Sequence, residues 1–189
     1  NYRLRPAATF PDQLSDVKRV ITWVRAHGQA YGANPAVLFI AGGSAGAHLA
    51  ALAALTFDDP RLQPGFEDAD TRVSGVIALY GYYDWPDTTG AWSPSGRDHS
   101  TLQQPAPLPH ARKDAPPFFV LHGDRDTTLP VAKARHFAHN LRSISHNPVV
   151  YAELPGAEHN FDLFHSIRAE AVINGIEAFV AWVQADLQA

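Results

Sequence analysis

Three residue types with the right chemistry stand at separated points of this 189-residue chain: Ser44, the aspartates Asp124 and Asp126, and His159. A serine hydroxyl is a poor nucleophile until a base takes its proton. Histidine does this near neutral pH, and a carboxylate fixes the imidazole tautomer and stabilises the imidazolium. Ser44 lies in Gly42-Gly43-Ser44-Ala45-Gly46, a G-x-S-x-G pattern. It follows the apolar run Val37-Leu38-Phe39-Ile40-Ala41 and precedes the alanine-rich stretch Ala45 to Leu55. Such a serine stands at a sharp strand-to-helix turn with its oxygen exposed and the helix amides aimed at the place where an oxyanion develops. A side chain at Gly42 or Gly46 is expected to collide with the neighbouring strand or helix.

The elements that must position these groups are legible from periodicity. A helix is expected from about Pro11 to Tyr31, with Leu14, Val17, Ile21 and Val24 on one apolar face and Gly32 past its end. Val37 to Ile40, Val73 to Tyr80, Pro117 to His122 and Val149 to Leu154 read as buried strands. Helices are expected over Ala45 to Leu55, Pro130 to Ser143 and His165 to Leu187, the last burying Ile173, Ile176, Val180 and Val183. Asn1 to Leu4 reads as the tail of a further strand. Alternating strands and helices imply an α/β fold, a three-layer α/β/α sandwich around a mainly parallel sheet in a single domain. In such sheets functional groups gather beyond the carboxyl ends of the strands. Ser44, the two aspartates and His159 each follow a strand, in the order serine, aspartate, histidine.

Composition narrows the field. With 46% hydrophobic and 18% charged residues the chain is globular. A net charge of −4 gives no electrostatic case for nucleic acid, and no apolar run reaches membrane-spanning length. Without cysteine, thiolate chemistry and disulfides are excluded and the compartment is left open. His136 and His139, three apart and near His146, read as surface histidines, so no metal is expected. The stretch 86–115, with prolines 86, 94, 105, 107 and 109, is irregular; it reads equally as part of a pocket or lid and as a solvated loop. Gly43, Tyr80, Tyr82, Tyr83 and Trp85 stand beside the expected site and suit either core packing or an acyl or aryl pocket.

Together these motifs resemble the α/β-hydrolase superfamily, nearest to its hormone-sensitive-lipase-like and carboxylesterase group. Asn1-Tyr2-Arg3-Leu4 with Pro6 and Phe10-Pro11, the elbow with His48-Leu49-Ala50, His122-Gly123-Asp124-Arg125-Asp126 and Gly156-Ala157-Glu158-His159-Asn160-Phe161 match that group's motifs. The resemblance implies a serine esterase without a cofactor, acting on small uncharged esters through an acyl-enzyme. It makes Ser44 the nucleophile, His159 the base, Asp126 rather than Asp124 the acid, and the Ala45 amide one oxyanion donor. The same elbow occurs in arylformamidases, so a formamide or peptide amide is an alternative substrate, and a non-catalytic binding module a third reading. The group's H-G-G-G-type loop, which carries the second oxyanion donor, has no counterpart in these 189 residues. The chain also contains no methionine and opens where the group's fourth strand ends. It therefore reads as a C-terminal piece, with a four-stranded sheet whose open flank is completed by a preceding segment or a second chain.

Overall fold

In a computed structural model, residues 1–4, 6–84 and 106–188 are described. Trp85 and residues 86–105, where the sequence suggested part of a pocket or lid, lie outside them. Four strands, β1 (Phe39–Gly43), β2 (Gly75–Leu79), β3 (Phe118–Gly123) and β4 (Val149–Leu154), form one sheet in the order β1-β2-β3-β4. Every neighbouring pair is parallel. The helices are α1 (Asp12–His27), α2 (Ala45–Leu55), α3 (Val131–Ile144) and α4 (Ile167–Asp186). Each is within a few residues of its sequence-based expectation.

Side chains alternate across a strand, so each strand feeds two layers. Val76 and Ala78 of β2 and Phe118 and Val120 of β3 point to one face, where they meet the alanines of α2 and Ala134, Phe137 and Leu141 of α3. The intervening Ile77, Leu79, Phe119 and Leu121 point to the other face and meet Val172, Phe179 and Val183 of α4. Helix α1 covers α2 through Leu14 and Ile21 against Leu49, Leu52 and Ala53. The small side chains of α2 let it lie close between sheet and α1, and eight of its eleven residues are buried. These are the three layers of an α/β/α sandwich.

Several expectations are corrected. The first helix ends as an α-helix at His27 and tightens into a 3₁₀ turn over Gly28–Tyr31, which Gly32 closes at φ +80°. Asn1 to Leu4 is not a strand: Arg3 lies on α1, with its backbone amide and guanidinium both donating to Asp16. The buried face of α4 is rotated from the expected one. Ala169, Val172, Phe179 and Val183 are buried, Ile176 and Val180 are half-buried, and Ile173 is exposed. Two interleaved apolar stripes fit the helical period here, and the aromatic Phe179, in contact with Phe119, selects between them. Of the irregular stretch, residues 106–115 are described: Ala106 and Ala115 are buried, Pro109, Lys113 and Asp114 are exposed, and the Leu108 amide donates to the Tyr83 carbonyl. Among the described residues no helix is long and apolar enough to cross a membrane.

Strand β1 is an edge. Beside it runs an apolar groove of about 330 Å³ lined by Val17, Val20 and Val24 of α1, Leu38 and Ala41, and Gly46 of α2.

The loop that returns the chain from α2 to β2 is tied to α1 by one buried cation. Lys18 is wholly buried and donates to the Thr56 carbonyl and to Gln63 Oε1, the latter at 3.2 Å. Gln63 in turn accepts from Thr71 Oγ1 and donates to the carbonyls of Phe66, Glu67 and Ala69. Burial pushes the Lys18 ammonium down to about pKa 8, against the pull of Asp59 and Asp58. The folded state therefore sheds this proton before the unfolded state does, and stability from this group rises between about pH 8 and 10. Above that range the phenols of Tyr80, Tyr83 and Tyr151, held protonated by burial, act in the opposite direction. Lys18→Met should remove the rise between pH 8 and 10 in thermal melts. At pH 7 it should lower unfolding stability in urea by about 2 kcal/mol, because the Thr56 and Gln63 acceptors stay buried with a donor lost.

Candidate active site

The register of the sheet decides which loops meet. Gly43 pairs with Leu79, Leu79 with Leu121, and β3 with β4 up to Gly123 against Leu154. All four strands are parallel, so Ser44, Tyr80, the 124–130 turn and the 155–165 loop leave the sheet along the same edge.

Ser44 occupies the turn between β1 and α2 at φ +53°, ψ −119°. A non-glycine residue in this region stores roughly 1–3 kcal/mol and persists only where its surroundings over-determine it. Its amide donates to the Leu79 carbonyl, and its carbonyl accepts from the His48 amide. Gly42 is needed for close approach: a Cβ there would lie 2.8 Å from the Ala47 nitrogen and closer still to the Gly46 backbone. At Gly43 a Cβ would lie 2.5 Å from the Tyr80 hydroxyl. Gly46 corrects the expectation of a collision, since nothing lies within 4 Å of a Cβ placed there. Its open side is the groove beside β1.

The structure brings Ser44, Asp126 and His159 together. Ser44 Oγ is 2.9 Å from His159 Nε2, and His159 Nδ1 is 2.7 Å from Asp126 Oδ2. A carboxylate accepts, so the imidazole proton sits on Nδ1, and Nε2 offers its lone pair to the serine hydroxyl. The other Asp126 oxygen accepts from the amides of Thr128 at 2.9 Å and Leu129 at 2.7 Å. The Asp126 side chain is fully buried and that of His159 nearly so. Asp124 does not meet the histidine; its Oδ1 accepts from the Gly156 amide at 2.6 Å and so joins the acid turn to the histidine loop. Glu158 adds a second tie of this kind, its Oε2 accepting from the amide and hydroxyl of Thr127.

Ala45 is the first residue of α2 and is exposed. Its amide precedes the first intrahelical hydrogen bond of α2 and lies at the positive end of the helix dipole.

His122, the first residue of the His122-Gly123-Asp124-Arg125-Asp126 motif and assigned no role there, belongs to this cluster. It is wholly buried, its Nε2–H donates to the Leu129 carbonyl at 2.9 Å, and Nε2 lies 3.1 Å from Asp126 Oδ2. Burial holds its pKa down, so it stays neutral. Among the aromatic residues, Tyr83 is a core residue, stacked on Phe137 at 4.3 Å with its hydroxyl accepting from the Gly81 amide. Tyr82 is buried against His48, whose Nδ1 lies 2.9 Å from the Tyr82 carbonyl oxygen. Tyr80 lies against His159 itself, ring centroids 4.8 Å apart. His136, His139 and His146 are exposed, and among the described residues no three His, Cys, Asp or Glu side chains are grouped to hold a metal.

Comparison with known proteins finds relatives in sequence and in fold. The chain is 47% identical to the probable carboxylic ester hydrolase LipM of Mycobacterium tuberculosis over 98% of its length and 46% of that protein. It is 41% identical to esterase LipQ of the same organism, over 95% of this chain and 46% of the relative. It thus spans about half the length of these relatives. Among solved structures, a thermophilic esterase of Thermogutta terrifontis superposes with a TM-score of 0.82 at 23% identity, covering 97% of this chain and 69% of that one. A truncated carbohydrate esterase from gut microbiota superposes at 0.80 with 20% identity, covering 96% and 73%. These two likenesses show the α/β-hydrolase fold. The BD-FAE family model matches residues 1–141, and with that match over most of its length the chain belongs to the BD-FAE family.

Proposed function

We propose that this chain carries the catalytic serine, acid and histidine of a carboxylic-ester hydrolase. The observation that carries the reading is the unbroken relay from Asp126 Oδ2 through the His159 ring to Ser44 Oγ, at 2.7 and 2.9 Å. Hydrogen bonds of this length already place base and nucleophile within proton-transfer reach. The names of the relatives, carboxylic ester hydrolase and esterase, support the same reaction class.

In this mechanism Ser44 Oγ attacks the ester carbonyl while His159 Nε2 takes its proton. Asp126 holds the resulting imidazolium, and the Ala45 amide donates to the oxyanion. Collapse of the tetrahedral intermediate transfers the proton from His159 to the departing alkoxide and leaves an acyl-serine. Water, activated by the same histidine, then releases the acid. No step calls on a cofactor. One oxyanion donor is worth about 10²–10³ in rate. Small uncharged acyl esters are the proposed substrates.

Two measurements test this. Hydrolysis of p-nitrophenyl butyrate should fall by about 10⁴ or more in kcat in Ser44→Ala and by about 10⁴ in Asp126→Asn, which turns the histidine to the wrong tautomer. A fluorophosphonate should add one phosphonyl mass to the wild-type chain and none to Ser44→Ala. Labelling that persists in Ser44→Ala, or a folded wild-type chain that takes up no phosphonate, overturns the reading.

A further inference from the structure

The histidine loop is fastened to the acid turn through Asp124 to the Gly156 amide, through Glu158 to Thr127 and through the Arg125 amide to the Ala157 carbonyl. These ties fix His159 relative to Asp126. None fixes it relative to Ser44, which follows β1, three places from β4 in the sheet. A further fastening on the side of Ser44 would complete the alignment.

The structure offers one residue there. Tyr80 is the first residue after β2, beside the elbow, and its backbone is held by its amide donating to the Leu121 carbonyl at 2.7 Å. It has φ +40°, a conformation that turns the chain out of the strand direction at the sheet edge. Its ring is only 5% exposed. One side fills the space that a side chain at position 43 would take. The ring packs edge-on to His159, at 63°, and to Phe161, with centroids 4.9 Å apart at 85°. Its hydroxyl donates to Asp162 Oδ1 at 2.5 Å. The phenol thus touches the elbow, the base and the loop that carries the base.

We infer that Tyr80 is a positioning residue, which with Asp162 clasps the histidine loop to the elbow and so sets the His159-to-Ser44 alignment. The inference rests on the proposed roles of Ser44 and His159. Aromatic edge contact limits the tilt of the imidazole, and the charge-assisted bond to Asp162 stops the loop from sliding along the sheet edge. Burial and the Asp162 carboxylate push the phenol pKa well up, so the hydroxyl stays a donor throughout the working range. Asp162 itself is exposed.

The test compares Tyr80→Phe, Asp162→Ala, Asp162→Asn and the double variant Tyr80→Phe/Asp162→Ala in the full chain. Phenylalanine keeps the ring and removes only the clasp; asparagine keeps an acceptor and removes only the charge. Tyr80→Phe and Asp162→Ala should each lower kcat on p-nitrophenyl butyrate about tenfold, as sub-ångström misplacement of a base does, with KM within about twofold. The double variant should be no slower than the slower single one, since both break the same bond. Asp162→Asn should recover most of the rate lost in Asp162→Ala. In NMR relaxation of the ¹³C-labelled His159 ring, Tyr80→Phe should raise ring mobility while the low-field Nδ1 proton bonded to Asp126 keeps its position. This last readout needs no turnover. A wild-type chain that refuses the phosphonate marks failure of the esterase reading, and the ring relaxation then decides the clasp by itself. A rise in KM at constant kcat would make Tyr80 a substrate-pocket residue and overturn the inference. Multiplicative losses in the double variant, or an unchanged ring mobility in Tyr80→Phe, would overturn it too.

Discussion

Everything at this site depends on a serine held where serine backbones do not ordinarily rest. At φ +53° Ser44 can present its oxygen beyond the sheet edge, but only because neighbours leave it no cheaper conformation. The Leu79 carbonyl takes its amide, the His48 amide takes its carbonyl, and Gly42 lets α2 press onto β1 without an intervening side chain. The strain is thus balanced by packing of the alanine-rich helix against the sheet. The composition of α2, almost without polar side chains, is a condition of the chemistry as much as of the core. A larger residue at Ala47, Ala50 or Ala51, each essentially inaccessible to solvent, would lift the helix and relax the turn.

With Ser44 fixed, the remaining problem is to bring two groups from the ends of β3 and β4 to it. The parallel register does the coarse part by placing every strand end on one edge. The fine part is done by hydrogen bonds between loops. Asp126 is a buried carboxylate that uses both oxygens, one for two backbone amides of its own turn and one for His159. A buried carboxylate without such donors would cost far more than it contributes. Its own turn therefore orients it, and His122 supports that turn by bonding the Leu129 carbonyl while Leu129 bonds Asp126. The histidine loop, by contrast, has one backbone bond to the acid turn, from the Arg125 amide to the Ala157 carbonyl, and is otherwise fastened through the carboxylates of Asp124, Glu158 and Asp162, the last to Tyr80 after β2.

The sequence was most readable where local and long-range demands agree. The strands and the α2 helix are bounded by glycine, proline and abrupt changes of hydrophobicity, so their limits fall within a few residues of the observed ones. The chain order of Ser44, Asp126 and His159 at three strand ends located the site, because parallel topology converts sequence order into proximity. Readings went astray where two patterns fit equally well. Helix α4 carries two apolar stripes, and only the position of Phe119 on the sheet decides between them. Arg3 was read as part of a strand because an extended, partly apolar segment looks the same whether it pairs with a strand or lies along a helix. Asp162 carries no signal, since its partner Tyr80 is 82 residues away, and His122 stands in the H-G-x-x-D motif with Asp126 without the motif assigning it a contact. Tyr80 was singled out as an aromatic near the site, yet its contact with His159 depends on a positive φ that no propensity assigns to tyrosine.

The two glycines that flank Ser44 show how the elbow divides its requirements. Gly42 faces inward, and its need for a missing side chain is met wholly by contacts within these residues. Gly46 faces the groove beside β1, where its hydrogen meets open space. The groove wall is made of valines from α1 and the outward side of β1, an apolar surface next to a strand edge that no strand among the described residues covers. Exposed together, these features favour pairing with another strand. The relatives are about twice as long as this chain. Of the two flanks of the elbow, the one that carries Ser44, His159 and Asp126 is closed by hydrogen bonds among the described residues, and the other is the edge of β1.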